Sequence, residues 1–285
     1  MAFRRPRCNI CSFKQSTSLM PVYHRHHSTH QVRVDQGVEY ASKNCSYMCP
    51  SCKIQHVAKL PYGLDICISD STLHNVHYPK EPGVNGLRDT SHVDWLTIPG
   101  ATVEQLLYAW QVEYANESRP MRLLLVAGLN NFLKGGNIET LTSQIVRFGE
   151  KVKYQDILKP QRSNSFAVAP LLLAPKLVWF PENGNPSSNY VNRMDEVEDV
   201  NNWITIYNMS NNIKNVPDFH HMGTRLNKRV VYGVQTEFKT HCWNQWRASE
   251  SRENKLHLAD FWRVKMGQDV VKYFQEQRRL NGSLV

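Results

Sequence analysis

Apolar and polar stretches alternate along the chain from about residue 61 onward, in lengths typical of strands and helices. Continuous apolar runs bounded by turn residues predict strands that are buried on both faces. Four such runs are GLDICIS (63–69), VDWLTIP (93–99), MRLLLVAG (121–128) and SFAVAPLLL (165–173). A shorter run, VPDFHHMG (216–223), predicts a fifth strand.

Between these runs, apolar residues recur at the spacing of amphipathic helices. In residues 101–116, Val103, Leu107 and Trp110 fall on one helical face. Further helices are predicted over about 137–154, 190–212 and 260–279. Strands that alternate with helices predict a three-layer α/β/α fold with a mainly parallel sheet, and we assign this domain to residues 61–280.

Polar or turn-forming residues follow the first three predicted strands. They are Ser69-Asp70-Ser71, Pro99-Gly100 and Gly128-Leu129-Asn130-Asn131. In parallel sheets, ligands bind beyond the carboxyl ends of the strands. We therefore expect the functional residues of this domain among these turns.

Four short motifs carry a resemblance to a known family. They are ISDSTLH (68–74), TIPGAT (97–102), VAGLNN (126–131) and NKLHLADFWRVKMG (254–267). In order and spacing they resemble the SGNH (GDSL-like) hydrolases. That family places serine in a GDS motif after the first strand, glycine after the second, asparagine in GxND after the third, and histidine in DxxH before the last helix.

The resemblance implies Ser71 as nucleophile and His257 as its base. It also implies an oxyanion hole built from the N–H groups of Ser71 and Gly100 and the side-chain amide of Asn130. The chemistry is coherent, because a serine hydroxyl needs a neighbouring base and the tetrahedral oxyanion needs fixed N–H donors. The implied activity is hydrolysis of an ester or acetyl group, on an acylated small molecule or a glycan.

Three positions depart from the family pattern. Ser69 stands for the glycine of GDS, Asn131 for the aspartate of GxND, and Asn254 for the aspartate of DxxH. Asn254 can hydrogen-bond to His257 but carries no charge, whereas the acid of a triad stabilises the imidazolium. Asp260, Glu253 or a backbone carbonyl could orient His257 instead, or a Ser–His dyad could act alone. The alternative is a catalytically inactive SGNH-fold protein that binds nucleic acid or protein.

Positive charge is concentrated at the N-terminus. Of the net charge of +9, residues 1–60 carry +7, from nine Lys or Arg against Asp35 and Glu39, which leaves +2 for the other 225 residues. A basic segment of this kind indicates an acidic partner such as nucleic acid. The competing interpretation is a charged, soluble appendage without a specific partner.

Cysteines are concentrated in the same segment. Five of the seven are Cys8, Cys11, Cys45, Cys49 and Cys52. Two Cys-x-x-Cys pairs, at 8/11 and 49/52, have the spacing of zinc knuckles, and four histidines lie between them at positions 24, 26, 27 and 30. We therefore expect residues 1–58 to form a small basic module held by structural Zn²⁺.

Three ligand arrangements are open for this module. One zinc ion could join the two pairs, Cys8/Cys11 and Cys49/Cys52. A single finger could form from Cys8, Cys11, His24 and His30. Alternatively, two sites could form, the second from Cys49 and Cys52 with Cys45 or His56. A tetrahedral structural site needs four ligands, and residues 8–56 supply more than enough.

Cys67 and the lengths of the apolar runs bear on burial and on the cellular compartment. Cys67 lies within an apolar run, where a buried thiol is expected. No apolar run reaches the roughly 20 residues of a membrane-spanning helix. The basic N-terminus is not followed by the apolar stretch of a signal peptide. We expect an intracellular protein, in cytoplasm or nucleus, without membrane association.

Overall fold

The computed structural model describes residues 63–77, 79–87, 93–114, 117, 119–158, 164–178, 193–220, 222–231, 234–241, 243–251 and 255–280. The predicted zinc ligands Cys8, Cys11, His24, His30, Cys49 and Cys52 lie outside the described residues. So does Asn254.

Four parallel strands form the central sheet. They are β1 (Leu64–Ser69), β2 (Val93–Thr97), β3 (Met121–Val126) and β4 (Ser165–Val168), in the order β2-β1-β3-β4. All six residues of β1 are buried, as expected for a strand with neighbours on both edges. The four apolar runs of the sequence thus form the strands that they predict.

The helices lie on both faces of this sheet. The longer ones are α1 (Val103–Tyr114), α3 (Ile138–Leu158), α5 (Met194–Ser210) and α6 (Asp260–Leu280). Two short helices, α2 (Leu129–Leu133) and α4 (Pro175–Val178), follow β3 and β4. Apart from length differences of a few residues at their ends, the long helices match those predicted from the apolar spacing.

The packing of neighbouring residues on β1 separates the two faces. Asp65 and Ile66 are consecutive, so their side chains point to opposite faces. The face of Ile66 is also that of Phe166 on β4, and Phe166 stacks on Phe148 of α3 with ring centroids 5.0 Å apart. On the other face, the Asp65 Oδ2 accepts from the Nε of Arg278, in α6, at 2.6 Å. The result is a three-layer α/β/α domain with a parallel sheet.

Side chains of α5 cover the free edge of β4. The Asn208 Oδ1 accepts from the Val168 N–H at 3.1 Å, and its Nδ2 donates to the Val168 carbonyl at 2.7 Å. Asn201 makes the same pair of bonds to Leu171, at 2.6 and 3.0 Å. These amides occupy the backbone groups that a further strand would need.

The fifth strand predicted for residues 216–223 is therefore wrong. Residues 213–219 form no regular element. The edge of β4 already has its hydrogen bonds from α5, and Pro217 has no N–H to donate to a ladder. Instead, an antiparallel hairpin follows, formed by β5 (Thr224–Val231) and β6 (Val234–His241). The basic run Arg225–Arg229 lies in β5.

Two further expectations can be compared with the described residues. Cys67 is fully buried, as predicted, and burial raises the pKa of its thiol well above the ordinary value. Of the helices that the structure describes, none combines the length and apolar character needed to cross a bilayer.

Candidate active site

The candidate nucleophile lies directly after the central strand. Ser71 begins a short 3-10 helix, Ser71–Leu73, and its side chain is half-buried. Asp70 caps this turn, because its Oδ1 accepts from the Thr72 N–H at 2.9 Å and from the Thr72 hydroxyl at 2.5 Å. The turn is closed by the His74 N–H, which donates to the Ser71 carbonyl at 3.2 Å. Ser71 is thus held at the carboxyl end of β1.

Ser69 explains how this turn tolerates the absence of glycine. Its side chain is fully buried, and its hydroxyl donates to the Val126 carbonyl at 3.0 Å. The same oxygen accepts from the Leu73 N–H at 3.3 Å. The hydroxyl therefore joins β1 to β3 and closes the turn that carries Ser71.

Asn130, the candidate oxyanion donor after β3, meets the turn of Ser71. Its Nδ2 donates to the Asp70 Oδ2 at 3.2 Å, and the residue is buried. The preceding Gly128 has φ +138, and a Cβ at this position would lie 2.7 Å from the Leu171 side chain. This close approach and positive φ require glycine, and they direct the chain so that Asn130 faces β1.

Gly100, the second candidate donor, forms the turn after β2. Its φ is +77, in the region that favours glycine. Ala101 N–H donates to the Ile98 carbonyl at 3.1 Å, and the Lys134 ammonium donates to the Gly100 carbonyl at 2.9 Å. Within the described part of the chain, the N–H groups of Ser71 and Gly100 have no acceptor, so both are available to a ligand.

Asn131 has a different role from Asn130. Its Oδ1 accepts from the Val103 N–H at 3.1 Å, at the start of α1. Its Nδ2 donates to Gln144 Oε1 at 2.7 Å. Asn131 thus joins α1 and α3, and a neutral amide suits this position because it both accepts and donates.

His257 has an acidic partner that sequence reasoning missed. Its Nδ1 lies 2.5 Å from the Glu250 Oε1. The other carboxylate oxygen, Oε2, accepts from the N–H groups of Leu256 at 2.8 Å and His257 at 3.1 Å. With Nδ1–H donating to Glu250, Nε2 is the nitrogen that carries the free lone pair.

A local backbone bridge brings Glu250 to this place. Trp246 and Leu258 form an isolated antiparallel bridge. The Arg247 N–H donates to the His257 carbonyl at 2.9 Å. Residues 246–247 therefore pair antiparallel with residues 257–258, and this pairing places Glu250 close to His257. The DxxH motif does not predict the pairing of Glu250 with His257. The family pattern places the acid three residues before the histidine, whereas Glu250 lies seven residues before it.

Asp260, the other described acid considered for this role, is engaged elsewhere. It is buried and forms an ion pair with Arg263. Its Oδ2 accepts from the backbone N–H groups of Lys80 and Glu81 at 2.5 and 3.0 Å. Asp260 thus anchors the 80–81 segment to α6 and does not contact His257. Asn254 and Glu253 lie outside the described residues.

The protonation states suit a base and its acid. Burial lowers the pKa of His257 below its ordinary value of 6.5, against the opposing effect of Glu250. Burial alone would raise the pKa of Glu250, but the N–H groups of Leu256 and His257 and the His257 ring outweigh it and lower that pKa. At neutral pH the site therefore holds a neutral imidazole beside an ionised carboxylate.

The turn of Ser71 and the region of His257 meet at one end of the sheet. Arg263, in the first turns of α6, donates from Nη1 to the His74 carbonyl at 2.5 Å. Burial and then the charge of Arg263 lower the pKa of His74 to about 4, with a smaller effect of His257. Among the described residues the Ser71 hydroxyl makes no hydrogen bond, so none joins it to His257. Catalytic hydrogen bonds without substrate are often long and tighten on binding.

Comparison with known proteins gives distant likenesses. No protein-family model and no curated protein sequence matches the chain. A solved structure assigned to the lipolytic G-D-S-L family, from Desulfitobacterium hafniense, is similar at 17% identity and a TM-score of 0.45, covering 74% of this chain and 99% of that chain.

Two further solved structures are similar at the same level. A protein assigned as an acylhydrolase, from Bacteroides fragilis, is 14% identical over 83% of this chain and 97% of its own, with a TM-score of 0.47. The psychrotrophic esterase EstA from a Pseudoalteromonas species is 11% identical over 75% and 98%, with a TM-score of 0.44. Similarities at this level of sequence identity concern the fold alone. The chemistry of the site is therefore argued from the residues of this chain.

Proposed function

We propose that the domain of residues 61–280 is a serine hydrolase of the SGNH type that cleaves an ester or an acetyl group. The observation that carries the proposal is the contact of 2.5 Å between His257 Nδ1 and Glu250 Oε1. A histidine that acts as general base for serine needs one ring nitrogen free, and an acceptor on the other nitrogen fixes its tautomer and orientation. Glu250 supplies the negative charge that Asn254 lacks.

In the proposed reaction, the Ser71 hydroxyl attacks the acyl carbon and its proton passes to His257 Nε2. The new oxyanion is held by the N–H groups of Ser71 and Gly100 and by the amide of Asn130. The tetrahedral intermediate then collapses, and the departing alcohol takes the proton from His257. Water, deprotonated by the same histidine, then attacks the acyl carbon. The acyl–Ser71 bond breaks, the acid is released, and His257 returns the proton to the Ser71 oxygen.

Residues 100 and 130 support this assignment by different means. Gly100 offers a backbone N–H on an exposed turn, and Asn130 offers the second hydrogen of an amide whose first is bound to Asp70. A donor that is already anchored keeps its direction while charge develops on the substrate. The substrate class that we propose is an acylated small molecule or a glycan.

Labelling with a fluorophosphonate and turnover of p-nitrophenyl acetate test the proposal. We expect the wild-type chain to be labelled on Ser71 and to hydrolyse the ester, and Ser71→Ala to lose both. Ser210→Ala is the matched control, because Ser210 is an exposed serine whose hydroxyl only donates to the Tyr207 carbonyl of its own helix.

Two results would contradict the enzyme assignment. One is a wild-type chain that is neither labelled nor active, and the other is labelling that Ser71→Ala leaves unchanged. Either result would favour the alternative, a hydrolase-like scaffold that serves binding only.

For residues 1–58, we propose structural zinc and contact with nucleic acid. The support is the pair of Cys-x-x-Cys knuckles and the charge of +7 over residues 1–60.

A further inference from the structure

Lys255 is a lysine that the site buries almost completely. Only 6% of the residue is exposed, although it lies two positions before His257. Its Nζ donates to the Arg247 carbonyl at 2.7 Å and to the Glu250 carbonyl at 2.9 Å. Burying an ammonium group costs free energy that only well-placed acceptors offset. Such a group is therefore expected to hold a specific geometry.

The two acceptors are the carbonyl groups of Arg247 and Glu250, the first and last residues of the segment 247–250. Residues 247–250 form a turn in which the Glu250 N–H donates to the Arg247 carbonyl at 3.2 Å. Lys255 binds this same Arg247 carbonyl and also that of Glu250. Its own carbonyl accepts from the Lys176 N–H at 3.0 Å, so the backbone from which the ammonium extends is itself fixed.

A backbone hydrogen bond also ties the turn of residues 247–250 to His257. The Arg247 N–H donates to the His257 carbonyl, which fixes the near end of the turn. The Lys255 ammonium fixes the far end, at Glu250 itself. The carboxylate of Glu250 can then reach both the backbone N–H and the ring of His257.

We propose that Lys255 is a positioning residue that holds residues 247–250 closed on His257, so that Glu250 remains hydrogen-bonded to the imidazole. The effect on turnover rests on the proposed hydrolase function. The effect on the protonation of His257 does not, because the contribution of Glu250 to the pKa of the ring requires no turnover.

The first test measures the pKa of His257 by NMR titration, with the resonance assigned by its absence in His257→Gln. The negative charge of Glu250 raises this pKa, so Glu250→Gln lowers it. We expect Lys255→Met to lower it too, because the carboxylate moves away. The sign is decisive, since removing a nearby positive charge would by itself raise the pKa of a histidine.

The second test is a double-mutant cycle on ester hydrolysis. We expect Lys255→Met to lower kcat by about 10-fold to 100-fold with little change in KM, as for a displaced catalytic group. In the Glu250→Gln background the same substitution should have almost no further effect, because Lys255 acts through Glu250. Lys176→Met, at an exposed lysine on the neighbouring segment, is the matched control and should behave as wild type.

Three results would overturn the inference: an unchanged or raised pKa of His257 in Lys255→Met, losses in kcat that add up in the double variant, or an equal loss in Lys176→Met. If Lys255→Met does not fold by circular dichroism, Lys255→Gln, which keeps one amide donor, should lower the pKa by a smaller amount. A wild-type chain without turnover would contradict the proposed function, while the pKa comparison would still decide the role of Lys255.

Discussion

Glu250 gives the candidate base an ionised partner through a contact that lies outside the family's usual spacing. Its carboxylate is committed on both oxygens, to the His257 ring and to two backbone N–H groups. A carboxylate held in this way fixes the imidazole tautomer and stabilises the imidazolium that forms during attack. The candidate acid therefore comes from a loop contact and not from the sequence motif.

Replacing this carboxylate should impair turnover strongly. We expect Glu250→Gln to lower kcat by about 10²-fold to 10⁴-fold, the upper value being the loss that an Asp→Asn change causes in a serine protease triad. The glutamine can still accept a hydrogen bond but carries no charge. The measurement is kcat and KM on p-nitrophenyl acetate, with the fold checked by circular dichroism.

Neighbouring substitutions serve as controls for this prediction. Glu253→Gln removes another carboxylate close to His257 in the sequence, and Asn254→Asp introduces the aspartate of the DxxH pattern. Both should leave kcat within a few-fold of wild type, because Glu250 already occupies the partner position on Nδ1. A large loss in Glu253→Gln, or full activity in Glu250→Gln, would contradict the assignment.

The pH dependence of the reaction follows from the lowered pKa of His257. Burial disfavours the imidazolium, so the base remains neutral down to a pH below its ordinary value of 6.5. We expect kcat/KM to rise with pH to a plateau, with a midpoint below 6.5, measured by initial rates in overlapping buffers. Glu250→Gln should move the midpoint lower still. A wild-type midpoint above 6.5 would argue against a buried imidazole as the base.

At this scale the sequence predicts the candidate nucleophile, base and oxyanion donors, because each follows a strand or precedes a helix at a recognisable motif. It does not predict Glu250. The pairing of Glu250 with His257 depends on the bridge between Trp246 and Leu258 and on the bonds of Lys255. Such contacts arise from the backbone geometry of an irregular loop, which apolar periodicity does not encode.

Helix α5 acts as a cover for the sheet edge. An exposed strand edge offers unpaired backbone groups to other chains, and proteins protect such edges. Here the amides of Asn201 and Asn208 satisfy the N–H and carbonyl groups of Leu171 and Val168. The edge of β4 is thereby closed by side chains in place of a strand.

Removing one of these amides should destabilise the domain. We expect Asn208→Ala to lower the free energy of unfolding by about 3 kcal/mol, because it leaves the buried N–H and carbonyl of Val168 without partners. Urea denaturation followed by tryptophan fluorescence measures the change. Asn202→Ala on the same helix is the matched control, because Asn202 is exposed, and it should change the stability by less than about 0.5 kcal/mol. Equal stability of the two variants would contradict the edge role.

The sequence predicts most elements and fails where side chains replace backbone pairing. Long apolar runs such as 121–128 are strands because the sheet buries them on both faces. The run 216–223 has fewer apolar residues, Val216 and Phe219 among them, and no strand forms because α5 already covers the edge. The hairpin β5–β6 was not predicted, since its charged residues interrupt the apolar alternation.

The whole chain divides, by composition, into a basic cysteine-rich segment and a nearly neutral α/β domain. The described domain has its own core on both faces of the sheet, with Ile66, Trp110, Phe148 and Phe274 fully buried. Across residues 63–280, as far as the structure describes them, no group of three or more His, Cys, Asp or Glu could hold a metal ion.

Metal removal tests that division. We expect the purified chain to contain about one zinc ion or more, and chelation to release it. The release should weaken binding to short RNA or DNA, whose affinity should also fall with salt because basic residues contact phosphates. Ester hydrolysis and the urea midpoint of the α/β domain should remain unchanged, because its core and its site contain none of the expected ligands.

The metal content of variants separates the three ligand arrangements. If one ion joins the two cysteine pairs, Cys49→Ser abolishes zinc binding and His24→Ala leaves it intact. If a finger forms from Cys8 to His30, His24→Ala abolishes zinc binding and Cys49→Ser leaves it intact. If two sites exist, each variant loses about half of the metal. Cys67→Ala, at the buried cysteine of β1, is the control and should keep all of it. A wild-type chain without zinc, or nucleic-acid binding that neither salt nor chelator affects, would contradict the proposed module.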